Sequence, residues 1–267
     1  MKPQQALETI LLSACERAIG WRAASPTPAQ LAAATIVAHR GERDGQHVIE
    51  NTLAAFDPVV AAGVGAIEFD IRYTRDDEPV VHHDATLART FGLDIAIADL
   101  AWRDLRARAP HVPHLADLVA RYGHSTPLMV ELKERGRAAG EARLHRSLAD
   151  LTPIRDYRFL SLRPALFAAA APAPADACIP VAKLNWPEIR AWANAHACGG
   201  IAGAFVRMPQ RDVDRLRDQG AFIGSGFLTR GDAMCHEIAR GVSWLFTNQP
   251  LALQRMLDEA REAVGSA

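Results

Sequence analysis

From about residue 35 onward, short apolar runs alternate with longer segments in which apolar residues recur at helical spacing. Short apolar runs are typical of buried strands, and strands that alternate with helices form parallel βαβ units. Around eight such units in residues 35–267 favour a closed (β/α)8 barrel of the TIM type over an open sheet. The predicted strands are 35–39, 66–71, 79–83, 127–132, 158–162, 178–183, 203–208, 221–226 and 244–248, and the predicted helices are about 51–62, 99–107, 114–122, 137–149, 163–171, 187–196, 210–219, 230–240 and 250–263.

Two features refine the barrel prediction. The pattern gives nine strands against the eight of a barrel, so one strand is expected to be short or to lie outside it, and the connection from the second strand to the third is too short for a helix. Ahead of the barrel, residues 6–21 show an amphipathic helical pattern, which we expect to pack on the protein rather than on a membrane. The segment 25–30 looks like a linker, so we divide the chain into an N-terminal helix and linker (1–34) and a barrel domain (35–267).

Length and charge narrow the function classes. The 267 residues suit one α/β barrel, and 30 basic against 31 acidic residues leave no positive field to attract nucleic acid. The four cysteines are far apart and form no CxxC pair, which disfavours a zinc cluster or a disulfide framework. The apolar stretch at 10–14 is too short for a signal peptide, and no run reaches membrane-spanning length. We therefore expect a cytoplasmic protein without stable membrane anchoring.

Ionisable side chains stand at the ends of four predicted strands, where a barrel core should end. In a barrel, the carboxyl ends of parallel strands converge on one mouth, so these groups are expected to lie together. They are His39-Arg40, Glu68 with Asp70, His82-His83-Asp84, and Glu131 with Lys133.

The carboxylates point to a cation. Glu68 and Asp70 are two residues apart on one strand, so both side chains face the barrel interior. Two carboxylates at that spacing repel each other unless a cation or a proton lies between them. Glu131 could supply a third oxygen ligand, and three carboxylates without cysteine suggest Mg²⁺ or Ca²⁺. The alternative is a structural network of carboxylates and arginines.

The basic residues have two interpretations each. His39 could be an ordinary core or surface histidine, but the neighbouring Arg40 carries a guanidinium that matches two phosphate oxygens. Lys133 could form an ion pair with Glu131 or neutralise a phosphate. His82 and His83 point to opposite faces of a regular strand, so only one of them can face the pocket.

The stretch 38–90 strongly resembles the N-terminal signature of glycerophosphodiester phosphodiesterases, whose pattern runs HRG, ENT, AF, IE-x-D, PVV-x-HD and L-x-RT. Residues 112–119 and 130–133 resemble later family segments, and 246–250 (FTNQP) resembles the closing T-D-x-P motif. The chain departs at 222–230, where family members usually carry a tryptophan. The matching elements are His39-Arg40-Gly41, Glu50-Asn51-Thr52, Ala55-Phe56, Ile67-Glu68-Phe69-Asp70, Thr74, Pro79–Asp84, Leu87 and Arg89-Thr90.

The resemblance implies a TIM-barrel hydrolase that cleaves glycerophosphodiesters to glycerol 3-phosphate and an alcohol with a divalent cation, in lipid and glycerol metabolism. Glu50 then lies in or beside the metal site, or else it is a carboxylate on a helix dipole. Asn51 reads as a helix N-cap, and Asp84 as a residue that orients a histidine or caps a loop. The implied roles are metal ligation by Glu68, Asp70 and Glu131, acid–base catalysis by His39 and His83, and phosphate binding by Arg40 and Lys133.

Three alternatives follow from the same residues. A barrel that binds phosphodiesters without cleaving them would keep the pocket but not need every polar group present here. A relative that acts on phospholipids fits the same motif. A metal hydrolase of the amidohydrolase kind would begin with His-x-His, whereas this chain has His39-Arg40.

Overall fold

The computed structural model describes Glu16 and residues 25–44, 46–205 and 208–265. Within them, eight parallel strands close into a barrel in the order β1-β9-β8-β7-β6-β5-β4-β2, with β1 pairing β2 to complete the ring. The predicted (β/α)8 barrel is therefore confirmed. The strands are β1 (Thr35–His39), β2 (Ala66–Tyr73), β3 (Pro79–Val81), β4 (Leu128–Leu132), β5 (Tyr157–Ser161), β6 (Cys178–Ala182), β7 (Gly200–Ala204), β8 (Phe222–Gly226) and β9 (Trp244–Thr247).

The surplus strand is β3, which pairs antiparallel to β2 and lies outside the ring. Its connection to β2 is a tight turn, in which Asp77 adopts φ 65° and its amide donates to the Thr74 carbonyl. A turn this short can join only antiparallel strands, because a parallel crossover needs a dozen or more residues. The sequence prediction of one strand outside the barrel thus applies to 79–81.

The prediction of a strand at 203–208 has the wrong bounds. The strand is β7, which begins three residues earlier at a Gly-Gly pair that reads as a turn in the sequence. Gly200 has φ 156°, and a Cβ there would approach the Phe222 carbonyl oxygen to 2.0 Å. Glycine is thus required where β7 lies against β8, and that requirement hid the strand.

Most helices follow the strands as predicted, but the four-residue helix Ala88–Phe91 was not predicted, and two further segments differ. The predicted helix at 163–171 is a 3-10 helix over Pro164–Ala170. Half of the predicted linker is helical, since Thr27 and Gln30 form a capping box at the start of Pro28–Ala33. The helices are α1 (Pro28–Ala33), α2 (Leu53–Ala61), α3 (Ala88–Phe91), α4 (Trp102–Arg108), α5 (Leu115–Tyr122), α6 (Ala138–Ser147), α7 (Trp186–Ala195), α8 (Gln210–Asp218), α9 (Gly231–Arg240) and α10 (Pro250–Gly265).

The helix predicted over 6–21 lies outside the described residues except for Glu16, which is helical and buried. The Glu16 carboxylate accepts hydrogen bonds from the amides of Thr229 and Arg230 at 2.6 and 2.8 Å. These amides lie just ahead of α9, so Glu16 stabilises the loop that follows β8. In the part of the chain described, no helix combines the length and apolar character needed to cross a bilayer. The division of the chain at residue 34 stays a prediction.

Side chains inside the barrel are arranged in layers. Val37, Ala66 and Met129 point inward from β1, β2 and β4 and belong to one apolar cluster that fills the lower barrel. Two residues further along each strand, the inward side chain is ionisable: His39, Glu68 and Glu131. Period-2 geometry therefore places a charged layer directly above an apolar one. The larger core lies between the strands and the surrounding helices and includes Ile36, Phe56, Phe69, Leu115 and Phe159.

Candidate active site

The strand register brings the three predicted metal-binding carboxylates together. In the parallel ladder Asp70 lies opposite Glu131, and Glu68 lies opposite His39. One carboxylate oxygen each from Glu68, Asp70 and Glu131 lies within 4.8 Å of the others, and all three residues are buried. The three carboxylates that the sequence predicted to lie together are therefore adjacent in the structure.

Several of these oxygens lack a hydrogen-bond donor. Neither oxygen of Glu68 has a hydrogen-bond partner, and Asp70 Oδ1 has no aligned hydrogen bond, although Lys133 Nζ lies 2.9 Å from it. Burial, together with the charges of Asp70 and Glu131, raises the pKa of Glu68 well above its ordinary value. A buried carboxylate without donors is costly, so this cluster suits a hard cation that oxygen ligands would surround. The residues present therefore fit a site for a divalent cation.

Two basic residues border the carboxylates. Lys133 Nζ lies 2.6 Å from Glu131 Oε1 and 2.9 Å from Asp70 Oδ1. Arg40 Nε lies 3.0 Å from Asp70 Oδ2, an ion pair without hydrogen-bond alignment. Although burial opposes ionisation, Arg40 and Lys133 hold the pKa of Asp70 below its usual range. A carboxylate–cation network is thus present around Asp70, while Glu68 is left without a hydrogen-bond donor.

His39 lies at the edge of this cluster on β1. Its Nδ1 is 2.7 Å from Asn248 Oδ1, and its Nε2 is 3.8 Å from Glu68 Oε2. The Phe227 ring lies against the imidazole at a centroid distance of 4.5 Å. Burial, reinforced by the charge of Arg40, lowers the pKa of His39 to about 3. The imidazole is therefore neutral in the metal-free protein at neutral pH.

The two consecutive histidines after β3 differ in burial and in partners. His83 is partly exposed, and its Nδ1 lies 2.6 Å from Asp84 Oδ1. Burial lowers the pKa of His83, and the charge of Asp70 opposes that shift. His82 is buried instead, with its ring nitrogens 2.9 Å from the Asp84 carbonyl and from Thr90 Oγ1.

Glu50 binds arginines rather than joining the three carboxylates. Its Oε1 accepts from Arg40 Nη1 at 3.0 Å and from Arg89 Nη2 at 2.6 Å, and Arg43 Nε lies 3.4 Å from Oε2. Against the effect of burial, these arginines lower the pKa of Glu50 to about 2. Arg89 also donates to Asp84, so Glu50 and Asp84 form one network behind Arg40 and His83.

The prediction that Asn51 caps a helix is wrong. The N-cap of α2 is Thr52, whose hydroxyl accepts from the Ala55 amide. Asn51 instead adopts φ 59° and is buried, and its Nδ2 donates to Asp70 Oδ2 at 2.7 Å. Asparagine tolerates this left-handed conformation better than most residues, so the ENT sequence serves both the site and the helix.

Sequence reasoning also missed Arg43 and Asn248. Neither residue is an ionisable group at the end of a predicted strand, which was the criterion for the other site residues. Only the FTNQP motif pointed to Asn248. Phe227 is 40% exposed and contacts His39, so the wall that lacks the usual tryptophan still presents an aromatic ring.

Known proteins match the chain most clearly over this site. The Glycerophosphoryl diester phosphodiesterase family matches residues 39–150. Over 69 residues the chain is 39% identical to lysophospholipase D GDPD1 of Rattus norvegicus, which is 26% of this chain and 21% of that protein. Over 71 residues it is 37% identical to glycerophosphodiester phosphodiesterase of Caldanaerobacter subterraneus, covering 27% of this chain and 28% of that protein. The matches thus span less than a third of these relatives' length.

Solved structures share the fold over a much larger part of the chain. A phosphodiesterase of Oleispira antarctica, solved with its product sn-glycerol-3-phosphate, superposes with a TM-score of 0.71. The superposition covers 84% of this chain and 96% of that one at 20% identity. At that identity the likeness supports the barrel fold alone.

Proposed function

Because this chain belongs to the glycerophosphoryl diester phosphodiesterase family, we propose that it hydrolyses glycerophosphodiesters to glycerol 3-phosphate and an alcohol with a divalent cation. The observation that carries the proposal is the group of three buried carboxylates, among which Glu68 has no hydrogen-bond donor, beside two histidines and two cationic side chains. Glu68, Asp70 and Glu131 would hold Mg²⁺ or Ca²⁺. When bound, the cation supplies Lewis-acid stabilisation of the charge that develops on the phosphate.

Arg40 and Lys133 are suited to bind the phosphate. Both side chains are nearly buried and lie beside Asp70, so they place positive charge in a site that is largely shielded from water. The neighbouring carboxylates raise the pKa of each above its ordinary value despite burial, which keeps both charged. Such charges attract an anionic diester and stabilise the additional charge of its transition state.

His39 and His83 are suited to exchange protons with the substrate. Each ring is tied at Nδ1 to an oxygen acceptor, Asn248 or Asp84, which leaves Nε2 available. One histidine takes the proton of the attacking oxygen, and the other gives a proton to the departing alkoxide. Single replacement of a general acid or base lowers turnover by about 10²–10⁴-fold.

The substrate itself provides the nucleophile in this proposal. A glycerophosphodiester has a hydroxyl on the carbon beside its phosphate ester, and a tethered nucleophile gains about 7–11 kcal/mol over a bimolecular one. Its oxygen bonds to phosphorus, the bond from phosphorus to the alcohol breaks, and a cyclic phosphate forms. Water then opens the ring with the two histidine roles reversed.

A second candidate is hydrolysis of a phospholipid, in which the glycerol carries an acyl chain. The exposed Phe227 ring at the mouth of the barrel offers apolar contact to such a substrate. One relative of the matched segment is a lysophospholipase D. A barrel that only binds its ligand is disfavoured, because the predicted polar groups are all present and adjacent.

The test is an assay of head-group release, choline or ethanolamine, from glycerophosphocholine, glycerophosphoethanolamine and lysophosphatidylcholine; the first two should also yield glycerol 3-phosphate. Protein freed of metal by chelation should be inactive, and Mg²⁺ or Ca²⁺ should restore turnover. Glu68→Gln should remain inactive, whereas the exposed control Glu188→Gln should match the unmodified protein. Full turnover in verified metal-free protein contradicts the cation requirement, and no turnover on any diester contradicts the reaction.

A further inference from the structure

The Asn248 side chain stands behind His39, just after β9. Its Oδ1 lies 2.7 Å from His39 Nδ1 and also 2.7 Å from Arg43 Nη2. Arg43 donates a second hydrogen bond to the His39 carbonyl at 2.7 Å. The Arg43 guanidinium thus contacts the His39 backbone directly and is linked to the His39 ring through the Asn248 amide.

Arg43 decides the orientation of the Asn248 amide. A guanidinium has only donors, so the atom beside Nη2 must be the amide oxygen and not its nitrogen. The same oxygen faces His39 Nδ1, and an oxygen acceptor requires a hydrogen on that nitrogen. Asparagine and histidine orientations are commonly uncertain, but here the chemistry of arginine removes the ambiguity.

A neutral imidazole carries one hydrogen, so His39 with Nδ1–H has an unprotonated Nε2. That Nε2 faces the carboxylate cluster, at 3.8 Å from Glu68 Oε2. The geometry points to Asn248 and Arg43 as positioning residues that hold His39 in the Nδ1–H tautomer, with Nε2 ready to accept a proton. In this tautomer neutral His39 can accept but cannot donate at Nε2, so it takes the first proton. His83, whose Nδ1 is held by the Asp84 carboxylate, gives a proton to the leaving alcohol from Nε2 of its doubly protonated ring.

The acid–base order rests on the proposed function, whereas the tautomer does not. The two are therefore tested separately. Long-range ¹H–¹⁵N correlation spectra of protein with ¹⁵N-labelled histidine report which ring nitrogen carries hydrogen. The His39 signals are assigned by their loss in His39→Gln. We expect a protonated Nδ1 and an unprotonated Nε2 at neutral pH in the unmodified, metal-free protein, and hydrogen on Nε2 would overturn the inference without any activity measurement.

The variants separate positioning from general structure. Asn248→Leu has a similar shape but no acceptor, so His39 should lose its single tautomer and kcat should fall by about 10²–10⁴-fold, with KM within about threefold. Asn248→Asp keeps an oxygen acceptor and should retain the Nδ1–H tautomer and turnover within about tenfold. The exposed control Asn194→Leu should change neither spectrum nor turnover.

Arg43→Met provides an independent test of the amide orientation. Without the guanidinium the Asn248 amide can rotate, so a second set of His39 signals with hydrogen on Nε2 should appear. An unchanged single tautomer in both Asn248→Leu and Arg43→Met would refute the positioning role. If the unmodified protein shows the expected tautomer but cleaves no glycerophosphodiester, the proposed function fails and the positioning role stands.

Discussion

Replacing Glu68 with glutamine should stabilise the metal-free protein and remove its response to divalent cations. Glu68 is buried, has no hydrogen-bond donor, and lies among Asp70 and Glu131. Glutamine has nearly the same shape, removes one negative charge, and brings an amide that can donate to the neighbouring carboxylates. The two effects act in the same direction, because each relieves an unfavourable interaction of the buried group.

The size of the effect follows from that environment. A buried polar group without a partner costs about 1–3 kcal/mol, so Glu68→Gln should raise the free energy of unfolding of the metal-free protein by about that amount. In domains of comparable size one kcal/mol corresponds to about 2–4 °C, which gives a rise in Tm of about 2–12 °C. Unmodified protein should gain about 2.7 kcal/mol at a cation concentration of 100 times Kd, whereas the variant should gain little.

Thermal unfolding with and without Mg²⁺ or Ca²⁺ measures both effects. Glu188→Gln, on the exposed face of α7, is the matched control and should melt like the unmodified protein under both conditions. A lower Tm for metal-free Glu68→Gln would refute the reasoning about the uncompensated carboxylate. An undiminished cation-induced rise in that variant would remove Glu68 from the metal site.

Four further predictions concern the histidines, the mouth and the substrate. His39→Ala and His83→Ala should each lower kcat by about 10²–10⁴-fold, whereas His82→Ala should mainly lower Tm, because its ring is buried and hydrogen-bonded away from the carboxylates. The pKa of His39 is about 3 in the folded protein and 6.5 in the unfolded chain, so the unfolded chain binds the proton first as pH falls. The free energy of unfolding of the metal-free protein should therefore decrease as pH drops from 6.5 toward 3. In urea titrations, His39→Gln should show a smaller decrease. Phe227→Ala should reduce discrimination among alcohols by about 1–3 kcal/mol in kcat/KM ratios, and unchanged ratios would count against contact with the leaving group. A substrate whose 2-hydroxyl is methylated should not be cleaved; near-normal turnover would identify water as the nucleophile.

The sequence predicted the barrel and most of the site because both follow from local patterns. Glu68 and Asp70 share a strand, and parallel strands bring their carboxyl ends together, so the position of Glu131 followed from topology alone. The strand β7 was misplaced because the glycine that lets it approach β8 also resembles a turn signal.

Other residues could not be placed without coordinates. Asn248 reaches His39 across 209 positions of sequence, and Arg43 reaches Asn248 across 205. Spacing in sequence alone carries no information about these contacts, which join the ends of the first and last strands of the ring. Asn51 was misassigned because capping and a left-handed backbone favour the same residue types, and only the coordinates distinguish Asn51 from Thr52.

Because β3 lies outside the ring, His39 and His83 are attached to the barrel in different ways. His39 ends a strand that is paired on both sides within the closed ring, whereas His83 follows a three-residue strand that pairs with β2 on one edge and is held on the other by a single bridge from Val80 to His114. A shift of β3 and of the segment that follows it would change the separation of the two imidazoles without disturbing the barrel pairings, because β3 lies outside the ring. We therefore expect substitutions in β3 to alter the size of substrate accepted while the barrel keeps its stability.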